Sequence, residues 1–148
     1  MSDKTRIDNY RGYKKKMIFK TELKVRSYEC DSYSHVNNAV YLNYLETARM
    51  DFLNQIGFPY NDVVAAHYYL YVTHIDIYYK SSAFLNDNLV IETTPTKMGA
   101  VKGTIHQIIK KTDGTVCAEA DVTWASVKEG IPSKLPQEFL VPGLYPEA

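Results

Sequence analysis

The chain has 148 residues, 45% of them hydrophobic, and its formal net charge at neutral pH is zero. This length fits one domain with a sizeable core, and zero net charge gives no overall attraction to nucleic acid or to an anionic membrane. Two cysteines are too few for a disulfide scaffold, and no segment approaches the roughly 18 apolar residues of a membrane helix, so we expect a cytoplasmic protein without membrane insertion.

The first part of the chain predicts an arm, a strand and a long helix. Residues 1–16 hold six lysines and arginines and predict a basic N-terminal arm. Polar and apolar residues alternate over 19–27, which is typical of a half-buried strand. Apolar residues recur at helical spacing from 38 to about 56, and Gly57 then supplies a stop.

The second part predicts strands joined by short turns. Four stretches show a period of two, namely 69–79, 89–96, 103–112 and 116–124. In the first of them, one face is predicted to hold Tyr71, Thr73, Ile75, Ile77 and Tyr79. Asp113 and Gly114 are a strong hairpin signal, and residues 131–148 predict a Pro-rich tail. Antiparallel strands with one segregated helix indicate an α+β domain over 17–130, with the helix packed on the sheet.

A polar loop ahead of the helix carries the candidate catalytic residues Asp31 and His35. Asn37 and Asn38 follow at the predicted helix start, where asparagine is a preferred cap and free N–H donors meet the positive end of the helix dipole. A carboxylate at this place can act on a carbonyl while the N–H groups bind the oxyanion. From these residues alone, a turn-capping carboxylate is the commoner role for Asp31, and His35 could equally be a structural histidine. Cys30 is interpreted as a small buried hydrophobe, not as a nucleophile.

Residues 31–38 (DSYSHVNN) and 41–49 (YLNYLETAR) resemble the hotdog-fold thioesterases. The similar groups are the 4-hydroxybenzoyl-CoA thioesterase-like enzymes and the fatty acyl-ACP thioesterases of fatty acid metabolism. The resemblance is sharp over 25–52 and extends as an element order over 17–128. It implies a long central helix wrapped by a curved five-stranded antiparallel sheet. It also implies a homodimer whose sheets join edge to edge with active sites at the interface, and possibly a homotetramer built as a dimer of dimers.

The resemblance further implies hydrolysis of an acyl thioester without metal or cofactor, coenzyme A being part of the substrate. Asp31 takes the place of the aspartate that carries the chemistry, and Asn38 lies close to the position whose backbone N–H polarises the carbonyl. His35 matches the histidine of the acyl-ACP group, whereas Tyr33 stands where that group has asparagine. We therefore expect an acyl-CoA thioesterase. The alternatives are an acyl-ACP thioesterase, a 3-hydroxyacyl-thioester dehydratase and a non-catalytic acyl-CoA binding module.

Four further residues are candidates for substrate binding. Tyr41 and Glu46 belong to the helical part of the motif. Glu46 either faces the pocket of a partner chain or, as we favour, forms an intrahelical ion pair with Arg49. Lys97 and Lys102 flank a turn that could hold the phosphates of coenzyme A, although a solvated basic edge is the commoner arrangement. The four histidines show no metal-ligand spacing.

Overall fold

The structure is a computed structural model that describes residues 17–147 and, of the preceding arm, only the backbone pairing of Asn9–Tyr10 with Tyr13–Lys14. The rest of the predicted basic arm lies outside the described residues. The elements are β1 (Phe19–Lys24), α1 (Asn38–Gln55), α2 (Tyr60–Ala65), β2 (Tyr68–Tyr79), β3 (Asn88–Met98), β4 (Lys102–Lys111), β5 (Val116–Lys128) and β6 (Ile131–Pro132). Within 17–147, no helix is both long and apolar enough to cross a membrane.

The strands form one antiparallel sheet in the order β1-β3-β4-β5-β2, and the two-residue β6 pairs with β5. The five predicted strands are therefore confirmed. The predicted hairpin between β4 and β5 is also confirmed, because Asp113 Oδ1 accepts the Thr115 N–H at 2.9 Å and Gly114 has φ +93°. Only a residue without a Cβ adopts that left-handed conformation at little cost.

The predicted long helix is confirmed, and α1 lies against the inner face of the curled sheet. Asn37 is its N-cap, and its side-chain oxygen accepts the Ala39 N–H at 2.9 Å. Gly57, with φ +74°, follows the C-terminal end. The buried face of α1 consists of Tyr41, Tyr44, Leu45, Ala48, Phe52 and Leu53. Because these residues recur at three- and four-residue spacing, one stripe of the helix can cover the apolar interior of the sheet.

Strand β2 departs from the predicted pattern. Its register against β5 shifts between Val72 and His74, which marks a β-bulge. Leu70 before the bulge and Ile75 after it both pack against the core, although their odd spacing would put them on opposite faces of a regular strand. The prediction of one continuous face was therefore wrong for Tyr71, which is 51% exposed.

The segment after β6 belongs to the folded core up to Leu144. Leu135, Phe139 and Leu144 are buried in a cluster with side chains from the second half of α1. Gly143 passes so close to Ile56 that a Cβ at this glycine would lie 2.5 Å from the Ile56 Cβ. The Pro-rich segment is thus irregular in conformation but tightly packed.

Candidate active site

The loop that carries Asp31 is a tight hairpin. The Asp31 N–H donates to the His35 carbonyl at 2.8 Å, and Cys30 and Val36 form an antiparallel bridge. Asp31 Oδ1 accepts the Tyr33 N–H at 2.9 Å and the His35 N–H at 3.3 Å. The loop backbone therefore orients the Asp31 carboxylate.

The second carboxylate oxygen of Asp31 is open. Between residues 17 and 147, no side chain or backbone group donates to Oδ2, and the residue is exposed. The turn-capping role left open by the sequence is thus real, but it uses only one oxygen. The other oxygen can meet a ligand.

The start of α1 offers one free donor beside this loop. Among the four N–H groups from Asn37 to Val40, three have acceptors in the described chain. Asn37 donates to the Glu29 carbonyl at 3.0 Å, while Ala39 and Val40 donate to Asn37. The Asn38 N–H has no such acceptor. It lies at the positive end of an 18-residue helix, where a developing negative charge is stabilised.

His35 adjoins Asp31 through its main chain and not through its ring. The ring lies edge-on to Phe84, with centroids 4.8 Å apart and planes at 82°. Neither ring nitrogen has a hydrogen-bond partner among the described residues. The Val36 N–H donates to the Ala83 carbonyl at 2.9 Å, so this loop and the segment that carries Phe84 hold each other in place.

Tyr41 supports the site from the core. Its side chain is 4% exposed, and its Oη accepts the Ala83 N–H at 2.9 Å. Burial raises the pKa of the Tyr41 hydroxyl, which therefore stays protonated. The structure gives Tyr41 this supporting contact, and the substrate contact stays a prediction.

Glu46 and Arg49 do not form the predicted ion pair. No contact within 4.0 Å joins their charged groups in the described chain, and Arg49 Nη1 donates to Gln107 Oε1 at 3.1 Å instead. Gln107 is fully buried, and its Nε2 donates to the Leu45 carbonyl at 3.1 Å and to Thr93 Oγ1 at 3.2 Å. Burial lowers the pKa of Arg49, although its charge persists. Gln107 is a residue that the sequence interpretation missed.

Glu46 and Arg49 line a groove of about 140 Å³ between α1 and the sheet. The rest of its lining carries no charge and consists of Met50, Leu53, Tyr60, Leu70, Val72, Ile105, Trp124 and Leu144. The groove therefore has a charged part and an uncharged part.

Lys97 and Lys102 lie far from Asp31 within one chain. Lys111 marks the end of β4 that is nearer to the loop of Asp31, because its Nζ is 4.7 Å from the centroid of the Phe84 ring, which packs on His35. On β3, Leu89 pairs with Lys111. Lys97 lies eight residues beyond Leu89 on β3, about 26 Å at the usual rise of a strand. The structure does not bring these two lysines together with the loop.

Cys30 is unsuited to act as a nucleophile. Partial burial, followed by the negative charges of Asp31 and Glu29, raises the pKa of its thiol. The thiol, not the reactive thiolate, is therefore the stable form at neutral pH. This agrees with the interpretation of Cys30 as a small hydrophobe.

Comparison with known proteins identifies the family of the chain. A sequence model of the thioesterase-like superfamily matches residues 25–142. The long-chain acyl-CoA thioesterase FadM of Escherichia coli (strain K12) is 37% identical over 109 residues, covering 72% of this chain and 81% of that protein. The chloroplastic acyl-acyl carrier protein thioesterase ATL2 of Arabidopsis thaliana is 33% identical over 90 residues, covering 61% of this chain and 48% of that protein.

Solved structures have the same fold. The probable thioesterase YbaW from Escherichia coli superposes with a TM-score of 0.67 and 32% identity, covering 80% of this chain and 90% of that one. A probable thioesterase from Bartonella henselae superposes with a TM-score of 0.74 and 25% identity, covering 80% of this chain and 99% of that one. The predictions of a hotdog fold and of a thioester hydrolase are confirmed. The chain belongs to the thioesterase-like superfamily.

Proposed function

We propose that this protein hydrolyses acyl-CoA thioesters, with Asp31 as nucleophile or general base and the Asn38 N–H as oxyanion donor. One observation carries the proposal: the Asp31 carboxylate has one oxygen fixed by its loop and one open, and this loop leads directly into the free N–H of α1. The identity to a long-chain acyl-CoA thioesterase supports acyl-CoA as the substrate class.

In the nucleophilic route, Asp31 Oδ2 attacks the thioester carbonyl carbon and the carbonyl oxygen becomes an oxyanion held by the Asn38 N–H. Collapse expels the coenzyme A thiolate, which takes a proton, and leaves an acyl anhydride on Asp31. Water then cleaves the anhydride to the free acid and restores the carboxylate. In the general-base route, Oδ2 instead takes the proton of a water that attacks the same carbon.

His35 assists in this proposal by giving a proton to the departing thiolate. Its backbone is held beside Asp31, its ring orientation is set by Phe84, and both ring nitrogens are free of partners in the described chain. An imidazole with these properties can move a proton without leaving its position.

We further propose that the chain works as a homodimer joined along β2. This strand lies at one end of the sheet path and bears the exposed aromatic residues Tyr69, Tyr71, Tyr78 and Tyr79. An open edge with apolar side chains favours pairing with a second chain. Lys97 and Lys102 would contact the phosphates of coenzyme A only across such an assembly, and Glu46, which lines a groove beside α1, would face bound substrate.

An acyl carrier protein is the second candidate carrier of the acyl group, because the chain is also similar to ATL2. The same chemistry applies, since the carrier ends in the same kind of thioester. Turnover of acyl-ACP well above that of the matched acyl-CoA would favour this second candidate.

The test is thiol release from short, long and aromatic acyl-CoAs by the wild type and by Asp31→Asn. We expect turnover to fall by about 10²–10⁴-fold in this variant. Asp113→Asn is a matched control, because Asp113 also caps a turn through one carboxylate oxygen but lies in the β4–β5 hairpin. Undiminished turnover in Asp31→Asn would refute the assignment. Bound acyl-CoA without thiol release would instead indicate a binding module, or a dehydratase if a 3-hydroxyacyl-CoA loses water.

A further inference from the structure

The groove runs along α1 away from the proposed catalytic end. At the helical rise of 1.5 Å per residue, Glu46 lies about 12 Å from Asn38 along the axis and Leu53 about 22 Å. Glu46 and Arg49 thus form the end nearer to the loop of Asp31. Leu144 belongs to the other end, because its neighbour Gly143 packs on Ile56, which follows Leu53 along the helix. The groove changes from charged to uncharged in the direction that leaves the helix start.

The uncharged part of the groove complements an apolar chain, and the thioester carbonyl of such a ligand, bound near Asn38, lies outside the groove. Arg49 is held at the polar end by Gln107 and keeps donors free towards the groove, while the far end offers only apolar side chains and the Tyr60 ring. The volume of about 140 Å³ is close to the 150 Å³ of an apolar cavity that holds benzene, so the groove takes about six carbons. It has room for the distal part of an acyl chain.

Leu144 forms the far wall of the groove. Its side chain is 3% exposed, and its N–H donates to the Val141 carbonyl at 3.1 Å. The preceding Gly143 packs directly on Ile56, at a distance that leaves no room for a Cβ. Neither the backbone nor the side chain of Leu144 can retreat without breaking this packing, so the wall is stiff.

We propose that Leu144 sets the acyl-chain length that the enzyme prefers, by closing the end of the groove that receives the distal carbons. This inference rests on the proposed function, since it takes the acyl group of the thioester as the occupant. Leu144 is a specificity-determining residue in this view and has no part in the chemical step.

The experiment compares the wild type with Leu144→Ala and Leu144→Phe over straight-chain acyl-CoAs from butanoyl to octadecanoyl. The matched control is Leu135→Ala, because Leu135 is also 3% exposed and lies in the same buried cluster but does not line the groove. Melting temperatures are recorded for every variant, and kcat/KM is measured for each chain length.

Shortening the side chain should move the optimum to longer chains, and lengthening it should move the optimum to shorter ones. Each newly buried methylene is worth about fourfold in kcat/KM, so a chain longer by two carbons gains about 15-fold relative to the wild-type optimum in Leu144→Ala. Leu135→Ala should lower the melting temperature by a similar amount and keep the wild-type profile. If Leu144→Ala fails to fold, Leu144→Phe still tests the inference through its expected shift to shorter chains.

Wild-type profiles in both Leu144 variants would overturn the inference and leave Leu144 as a core residue only. Chain-length dependence of acyl-CoA binding, measured by calorimetry with the Asp31→Asn variant, reads the same preference without turnover. If the Leu144 variants keep the wild-type length preference while Asp31→Asn still abolishes turnover, only the inference about Leu144 is refuted. If turnover survives in Asp31→Asn while the Leu144 variants still change the preferred chain length, only the catalytic assignment of Asp31 is refuted.

Discussion

Replacement of Gln107 by leucine tests the polar network that joins α1 to the sheet. Gln107 is fully buried on the inner face of β4. Its amide binds the Arg49 guanidinium, the Leu45 carbonyl and the Thr93 hydroxyl at 3.1, 3.1 and 3.2 Å. Leucine has a similar volume, so the substitution removes the hydrogen bonds while leaving the core filled.

The cost follows from the three groups that lose a partner. The Thr93 hydroxyl stays in a dry core without a partner, which costs about 1–3 kcal/mol. Arg49 reaches the groove and can turn to solvent, so its lost bond counts near the lower limit for charged groups, about 1.5 kcal/mol. The Leu45 carbonyl lies within α1, so losing its bond to Gln107 adds little to the cost. We expect Gln107→Leu to lower the free energy of unfolding by about 2.5–4.5 kcal/mol.

Urea unfolding of the two single variants and the double variant gives a thermodynamic cycle. Adding Thr93→Val should restore about 1–2 kcal/mol to Gln107→Leu, because the orphaned hydroxyl is then gone. A loss below about 1 kcal/mol in Gln107→Leu would refute the reasoning. Strict additivity of the two substitutions would refute it as well, since the hydroxyl would then not depend on the amide.

Two further predictions concern the loop and the outer face of the sheet. Tyr41→Phe leaves the buried Ala83 N–H without its acceptor, so the free energy of unfolding should fall by about 1–3 kcal/mol. Turnover should fall as well, because Ala83 anchors the loop. Tyr79→Phe, which loses a more exposed bond, should lower the free energy of unfolding less than Tyr41→Phe does. The Lys80 ammonium, 2.7 Å from Glu119, holds the pKa of that carboxyl below its ordinary value of 4.5. The stabilisation is therefore present above that pH and is lost as the pH falls below it. Urea unfolding should show a gap between the wild type and Lys80→Met at neutral pH that closes in acid, and a gap independent of pH would contradict this.

Local signals in the sequence predicted much of the fold. Asn37 caps α1 because its side-chain oxygen accepts the N–H of Ala39, two residues along the chain, and Gly57 ends the helix in a conformation that glycine favours. Asp113 and Gly114 likewise form the hairpin that their order predicts. In each case the interaction joins neighbours in the chain, so no knowledge of the tertiary structure was needed.

Features that depend on distant residues were not predictable in this way. Arg49 has Glu46 at ion-pair spacing on its own helix, yet it binds Gln107, which is 58 residues away. Only the assembled core decides this choice, because the sheet offers a buried acceptor where the helix surface offers an exposed one. The bulge in β2 is equally hidden, since it depends on the register with β5.

The candidate site shows why its residues allowed two interpretations. Asp31 resembles a turn cap because it is one: the N–H groups of Tyr33 and His35 occupy Oδ1. That same capping leaves Oδ2 without a partner in the described chain, and a carboxylate oriented by fixed N–H donors would need no further ordering before the proposed reaction with a carbonyl. In the proposed mechanism, the structural and catalytic roles divide between the two oxygens of one side chain. A sequence pattern cannot separate these roles, because both depend on the same residues at the same spacing.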